Sequence, residues 1–191
     1  MLDRHLNWKE HATSVKRKVN TGVASIYRNK DGLPTRERVE VYSALVQPDF
    51  DYCSTVWSCR SEKVKETLSI SKRKAVRALM DNHNRRHTSE FMEEHGMRTI
   101  EQRWKSQEAS WLYRILNHER VPIPGYLKNA ITIRQSERVL RQPTRIEAAC
   151  SSALGETMLC RRLRLLFRSL PDYLWKLESL YSFITEIFKF L

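Results

Sequence analysis

Trp8, Ala12, Val15, Val19, Val23 and Ile26 recur every three or four residues. That spacing draws one apolar stripe along a helix, whereas a half-buried strand would alternate every two. The period returns in Val39, Tyr42, Leu45 and Val46, in Val64, Leu68, Ala75, Val76 and Leu79, and in Ile100, Trp104, Trp111, Leu112, Ile115 and Leu116. A chain patterned this way must bury helix faces against one another. With 5 Gly and 6 Pro in 191 residues, it lacks the turn formers of a many-stranded sandwich or barrel. The expected fold is all-α: a three-helix bundle followed by a smaller helical C-terminal region.

Local signals place the elements. Asn7, with Glu10 three residues on, opens the first helix as a variant capping box, and the turn over 30–34 closes it near Asn29. Thr35 is the expected N-cap of the second helix. Pro48 interrupts or kinks that helix, and Phe50, Cys53, Val56 and Trp57 continue an apolar face beyond. Ser61 opens the third. Residues 81–88 form a polar, basic break and the best boundary. A short helix is expected over 89–95, closed by Gly96 at C′, before a long one capped by the pair Thr99 and Gln102. Periodicity fades over 128–149 and resumes over 158–166. Leu170-Pro171 then breaks it, and Ser179 caps a last helix with Leu180, Phe183, Ile184, Ile187 and Phe188 on its apolar side. The resulting segments are 1–6 (the tail of a strand), 7–80 (bundle), 81–127 (further helices), 128–157 (an Arg-rich loop or arm) and 158–191 (C-terminal helices).

Charge points to the partner. Lys and Arg number 34 against 22 Asp and Glu, a net charge of +12, which favours phosphate-rich partners or an anionic membrane surface. No apolar run is long enough to cross a bilayer. The stretch over 180–191 is short and is broken by Glu186 and Lys189. Residues 1–8 are polar, without the apolar core of a leader. Cys53, Cys59, Cys150 and Cys160 make no dense disulfide framework, so reduced thiols and an intracellular setting, nucleus or cytoplasm, are expected.

The positive charge is clustered. Residues 60–87 hold nine basic side chains (Arg60, Lys63, Lys65, Lys72, Arg73, Lys74, Arg77, Arg85 and Arg86) against Glu62, Glu66 and Asp81. Helical geometry turns Lys65, Lys72 and Arg73 away from the Leu68–Ala75–Leu79 stripe, leaving them to reach phosphates. A second cluster is all arginine: Arg134, Arg138, Arg141, Arg145, Arg161, Arg162, Arg164 and Arg168, suited to bidentate phosphate contacts. The expected nucleic-acid-binding set is Lys65, Lys72, Arg73, Lys74, Arg77, Arg85, Arg86, Arg134, Arg138 and Arg141. A solvated face with no partner is the alternative. Of the aromatics, only Tyr27 and Tyr126 suggest a stacking platform.

Catalytic patterns are thin. Asp49 and Asp51 lack a third acidic residue to complete a two-metal site, and read better as helix-start residues after Pro48. Cys53, Cys59, His83 and His87 have finger-like His spacing but the wrong Cys spacing and gap, and Cys53 reads as a small buried hydrophobe. Pro171-Asp172 with Lys176 and Glu178 lacks a second acidic ligand. There is no phosphate-cradling Gly loop and no nucleophile elbow. The expectation is no catalytic residue, no metal ligand and no small-molecule substrate.

Several stretches together resemble the reverse transcriptases of non-LTR, LINE-type, jockey-like retrotransposons. Leu2-Asp3-Arg4-His5-Leu6-Asn7-Trp8-Lys9-Glu10-His11 resembles the segment after the palm, as do Tyr42-Ser43-Ala44-Leu45-Val46-Gln47-Pro48 and Asp51-Tyr52-Cys53-Ser54-Thr55-Val56-Trp57. Lys72-Arg73-Lys74-Ala75-Val76-Arg77 resembles the basic helix that follows. Tyr113-Arg114-Ile115-Leu116-Asn117 with Pro124-Gly125-Tyr126-Leu127 resembles the post-thumb region, and Ser169-Leu170-Pro171 before Ser179-Leu180-Tyr181-Ser182-Phe183 the C-terminal end. The resemblance implies a thumb-like bundle of an RNA-directed DNA polymerase, with residues 1–6 a remnant of a palm-edge strand. It implies that the polymerase aspartates and their Mg²⁺ belong to a palm upstream, so this chain is inactive alone. The implied partners are an RNA–DNA or DNA duplex, gripped without sequence preference, and that palm. Two other readings remain open. One is an interaction module whose exposed apolar surface, at Trp8, Val15 and the 183–190 face, meets a protein. The other, an outsider, is a metal-dependent nuclease using Asp49 and Asp51.

Overall fold

A computed structural model of the chain describes residues 8–57, 62–80, 87–117, 132–135, 144–147 and 159–191. Helices carry the architecture, and they fall into two compact units, Met1–Arg103 and Trp104–Leu191. The division falls within the long helix. Most of the break at 81–88, residues 81–86, lies outside the described residues.

In the first unit α1 (Lys9–Arg28) buries Trp8, Ala12, Val15, Val19 and Ile26, with Val23 half-buried, as the stripe requires. Its start differs from expectation. Trp8 stands at the N-cap with φ 60° and no side-chain cap, while Asn7 lies outside the described residues. A short 3₁₀ turn, Lys30–Gly32, leads to α2 (Thr35–Leu45). Pro34 takes the N-cap position there, and the Thr35 hydroxyl instead accepts a hydrogen bond from Arg38 Nη2 at 2.7 Å.

Pro48 does not kink a continuing helix. The helix stops at Val46, and α3 (Gln47–Asp51) begins with Pro48 in its first turn, where an N–H would have no partner anyway. Tyr42, Val46 and Phe50 are buried along the expected stripe, but Leu45 is exposed because Val46 takes the inward position beside it. Cys53 and Val56 are exposed too, against expectation. After Asp51 the backbone turns, with Tyr52 non-helical and Cys53 at φ 51°, so the stripe loses its phase before α4 (Ser54–Trp57).

Helix α5 (Glu62–Leu79) lays Val64, Leu68, Ala75, Val76 and Leu79 inward and packs chiefly against α1. Helix α6 (Thr88–Glu94) ends in a Schellman motif. Gly96, at φ +61°, donates to Glu93 O at 3.1 Å, and Met97 donates to Met92 O at 2.7 Å. Helix α7 (Ile100–Asn117) opens with the expected reciprocal box. Thr99 N donates to Gln102 Oε1 at 3.0 Å, and Gln102 N to Thr99 Oγ1 at 3.2 Å.

The second unit is built on α7 from Trp104 onward, with α8 (Leu159–Ser169), α9 (Asp172–Trp175) and α10 (Leu180–Ile187). Its core joins Leu112, Tyr113, Leu163, Phe167, Leu174, Trp175, Phe183 and Ile187. Ser179 caps α10 as expected, accepting from Tyr181 N at 3.2 Å. Helix α9 was not legible in the sequence. It fills the Pro171 break and buries Leu174 and Trp175. The one sheet among the described residues pairs β1 (Thr132–Gln135) with β2 (Thr144–Glu147), antiparallel, with Arg134 in register with Arg145. It lies in the segment expected to be a loop or arm.

Candidate nucleic-acid interface

A basic residue can reach phosphate only if its charge is at the surface and not already spent on a carboxylate. The basic run on α5 divides sharply on that criterion. Arg73, Lys74 and Arg77 are exposed, and no ion pair among the described residues involves them. Lys74 and Arg77 lie eleven and fourteen residues beyond Lys63, so the three share one outer stripe, opposite the buried Leu68 face. Arg73, four residues before Arg77, borders that stripe on the side of Ser69. Lys65 is half-buried and tied to Glu62 at 2.6 Å.

Lys72 overturns the expectation. It is 3% exposed, inside the first unit. Its ammonium donates to Gln47 Oε1 at 3.3 Å and to the Arg98 carbonyl. Lysine is almost never fully buried unless its charge is compensated. Here compensation comes from a network that crosses four elements. Tyr42 donates to Gln47 Oε1 at 3.2 Å, Gln47 Nε2 donates to Asp51 Oδ1 at 3.2 Å, and Arg103 grips both Asp51 oxygens, Nε to Oδ1 at 3.2 Å. Burial, with the Arg103 charge added, lowers the Lys72 pKa to about 8, partly opposed by Asp51. Burial pushes the Tyr42 hydroxyl well above its ordinary value. Lys72 is therefore a fastener and is withdrawn from the duplex-facing set.

Helix α1 supplies cations that the sequence-derived set omits. Lys16 and Arg17 are exposed, and no ion pair among the described residues involves either. Their neighbour Lys18 reaches Asp49 at 4.0 Å. Since α1 and α5 pack on each other, their outward cations belong to one helical pair. The omission has a simple cause: these cations are spread between apolar residues and form no run. Tyr27, near the end of α1, is 60% exposed, with Lys30 over its ring at 5.6 Å.

The remaining expected residues fare differently. Arg85, Arg86, Arg138, Arg141 and Tyr126 lie outside the described residues, and Arg134 is placed as a residue of β1. In α8, Arg161, Arg162 and Arg164 are half-buried, and Arg162 is paired with buried Glu108, so part of the arginine cluster works internally.

The acidic candidates have structural occupations. Asp49 sits in the first turn of α3 and faces Lys18, while Asp51 is committed to Arg103 and Gln47. Among the described residues, no group of three or more His, Cys, Asp or Glu is placed to hold a metal ion. No described helix is long and apolar enough to cross a membrane. Of the apolar patch expected at Trp8, Val15 and the 183–190 face, Trp8, Val15, Phe183 and Ile187 are buried, while Phe190 is exposed.

Compared with known families, curated proteins and solved structures, the chain finds no match in any of the three. Function must therefore be read from the chain's own geometry.

Proposed function

We propose that this chain is the nucleic-acid-holding part of an RNA-directed DNA polymerase of non-LTR retrotransposon type. In this reading a thumb-like bundle grips the backbone of a primer–template duplex without reading its sequence and carries out no chemical step itself. The observation that carries the reading is the set of exposed cations on α1 and α5, Lys16, Arg17, Arg73, Lys74 and Arg77, which no described carboxylate neutralises. Phosphate contacts of this kind supply most of the affinity in sequence-independent binding and make it salt-dependent. The motifs that resemble the polymerase family supply the identity of the duplex.

The test is the salt dependence of duplex binding. Each phosphate contact contributes about 0.9 to the slope of log K against log salt on B-form DNA. Replacing Lys74 and Arg77 by Gln should flatten that slope by about 2 and leave the fold intact, because both side chains are exposed. Failure to bind an RNA–DNA hybrid or a DNA duplex at low salt would sink the reading.

A second reading has its own observation. Leu45, Tyr52 and Val56 are 56%, 71% and 54% exposed in the α2–α4 region of the first unit. Exposed apolar groups of this kind mark protein-docking surfaces when they are contiguous. Concentration-dependent self-association that disappears on Tyr52→Ser, and that ignores Lys74→Gln with Arg77→Gln, would favour an interaction module.

A further inference from the structure

A cavity of about 560 Å³ opens in the first unit between α5, α6 and the start of α7. That volume lies within the usual range for small-ligand sites. Its wall has two chemically distinct parts. One is cationic, with Lys72, Arg73 and Arg98. The other is apolar, with Met92, Met97 and Ile100.

Lys72 gives the cationic part its character. Its ammonium has three N–H donors, and the acceptors it meets among the described residues are two, Gln47 Oε1 and the Arg98 carbonyl. A buried charge lining a cavity with one donor to spare suits an anion, which would satisfy that donor and compensate the charge. Arg73 is exposed at the same wall and adds a second cation. Glu93 and Glu101 also border the cavity and are exposed. Three cations against two carboxylates favour a single phosphate over a triphosphate. The methionines suit a flat aromatic group, since their thioethers are polarisable and pack well on rings.

We infer that this cavity binds a nucleoside monophosphate, with its phosphate on Lys72, Arg73 and Arg98 and its base against Met92, Met97 and Ile100. The inference does not rest on the duplex reading: the two share Arg73 alone on α5, and Lys74 and Arg77 do not line the cavity. The lowered Lys72 pKa agrees with it: a phosphate arriving beside that ammonium would hold it charged.

The experiment titrates the full chain, labelled at its methionine methyls, with AMP, adenosine and inorganic phosphate separately. AMP should shift the Met92 and Met97 methyls and bind at least tenfold more tightly than either half-ligand. Ser89 lines the same cavity and is exposed, so Ser89→Glu should fold normally and weaken AMP at least tenfold by placing a carboxylate at the site. Lys74→Gln with Arg77→Gln should leave AMP binding unchanged while it weakens duplex binding. Adenosine or phosphate binding as tightly as AMP would overturn the inference, as would methyl shifts that spare Met92 and Met97 or survive Ser89→Glu.

Discussion

The two units solve the same problem, holding helices together, with different materials. The first approaches closely through small and aliphatic side chains, such as Ala12, Gly22, Val46, Leu68 and Ala75, and ties its elements with the Tyr42–Gln47–Asp51–Arg103–Lys72 network. The second stacks aromatics. Tyr113 lies on Phe183 with ring centres 4.5 Å apart, Phe167 on Trp175 at 5.0 Å, and Trp175 against Phe183 at 5.2 Å. Large rings bury much apolar area with little rotamer entropy to lose, so three short helices gain a core from few residues. A polar network gains less net energy but specifies which partners meet. The first unit should therefore be sensitive to protonation and shape, the second to loss of volume.

The largest expected effect is Phe183→Ala. It removes a fully buried ring from two stacks, a change that costs about 3–5 kcal/mol in cores of this kind. The loss should appear as reduced amide-exchange protection in α8 and α10, with α1 and α5 retaining theirs. Equal loss of protection in α1 and α5 would show that the two cores unfold as one and would erase the comparison.

The next effect belongs to the first unit alone. With the Lys72 pKa lowered to about 8 from an ordinary 10.5, the folded chain releases this proton earlier than the unfolded chain does. Between those values the unfolded state binds more protons, so stability rises with pH across the window and is flat in this term below it. The full difference corresponds to about 3 kcal/mol. Urea midpoints of the native chain and of Lys72→Met, compared from pH 7 to pH 10.5, should diverge by that order, with the native chain gaining. Parallel curves would mean that Lys72 does not titrate where its burial places it. In the second unit the sign reverses: the buried Tyr113 hydroxyl donates to the Leu177 carbonyl and burial raises its pKa, so its contribution falls as pH rises past the ordinary tyrosine value of 10.0.

What the sequence disclosed follows the range of the interactions. The stripes of α1, α5 and α10 were legible because helical periodicity is local. So were the caps at Gly96, Thr99–Gln102 and Ser179, whose hydrogen bonds span two to five residues. Lys72 was misread because its acceptors stand 25 and 26 residues away, at Gln47 and Arg98. Its helical position, four residues from Leu68, was compatible with burial, but its charge argued for the surface. The cavity was invisible for the same reason, since α5, α6 and the 97–102 stretch each contribute part of its wall. Of the duplex-facing set, Arg73, Lys74 and Arg77 were legible as a run, while Lys16 and Arg17 were hidden among apolar neighbours.

The smallest effect tests close approach directly. Gly22 lies on α1, and a Cβ added there would stand 2.7 Å from Val46 Cγ2. Val46 is fully buried, and its branched side chain has one strongly preferred rotamer in helical surroundings, so it has little room to give. Alanine would otherwise favour the helix by about 1 kcal/mol over glycine. Overpacking a filled core costs about 1–3 kcal/mol, so the net expectation for Gly22→Ala is a loss of about 1 kcal/mol. Pairing it with Val46→Ala separates the terms. The double variant should be more stable than the sum of the two single effects predicts, because the smaller residue at 46 makes room for the added methyl. Additive effects would show that α1 can shift away from Val46 without penalty, and that the small-residue packing of the first unit is looser than its contacts imply.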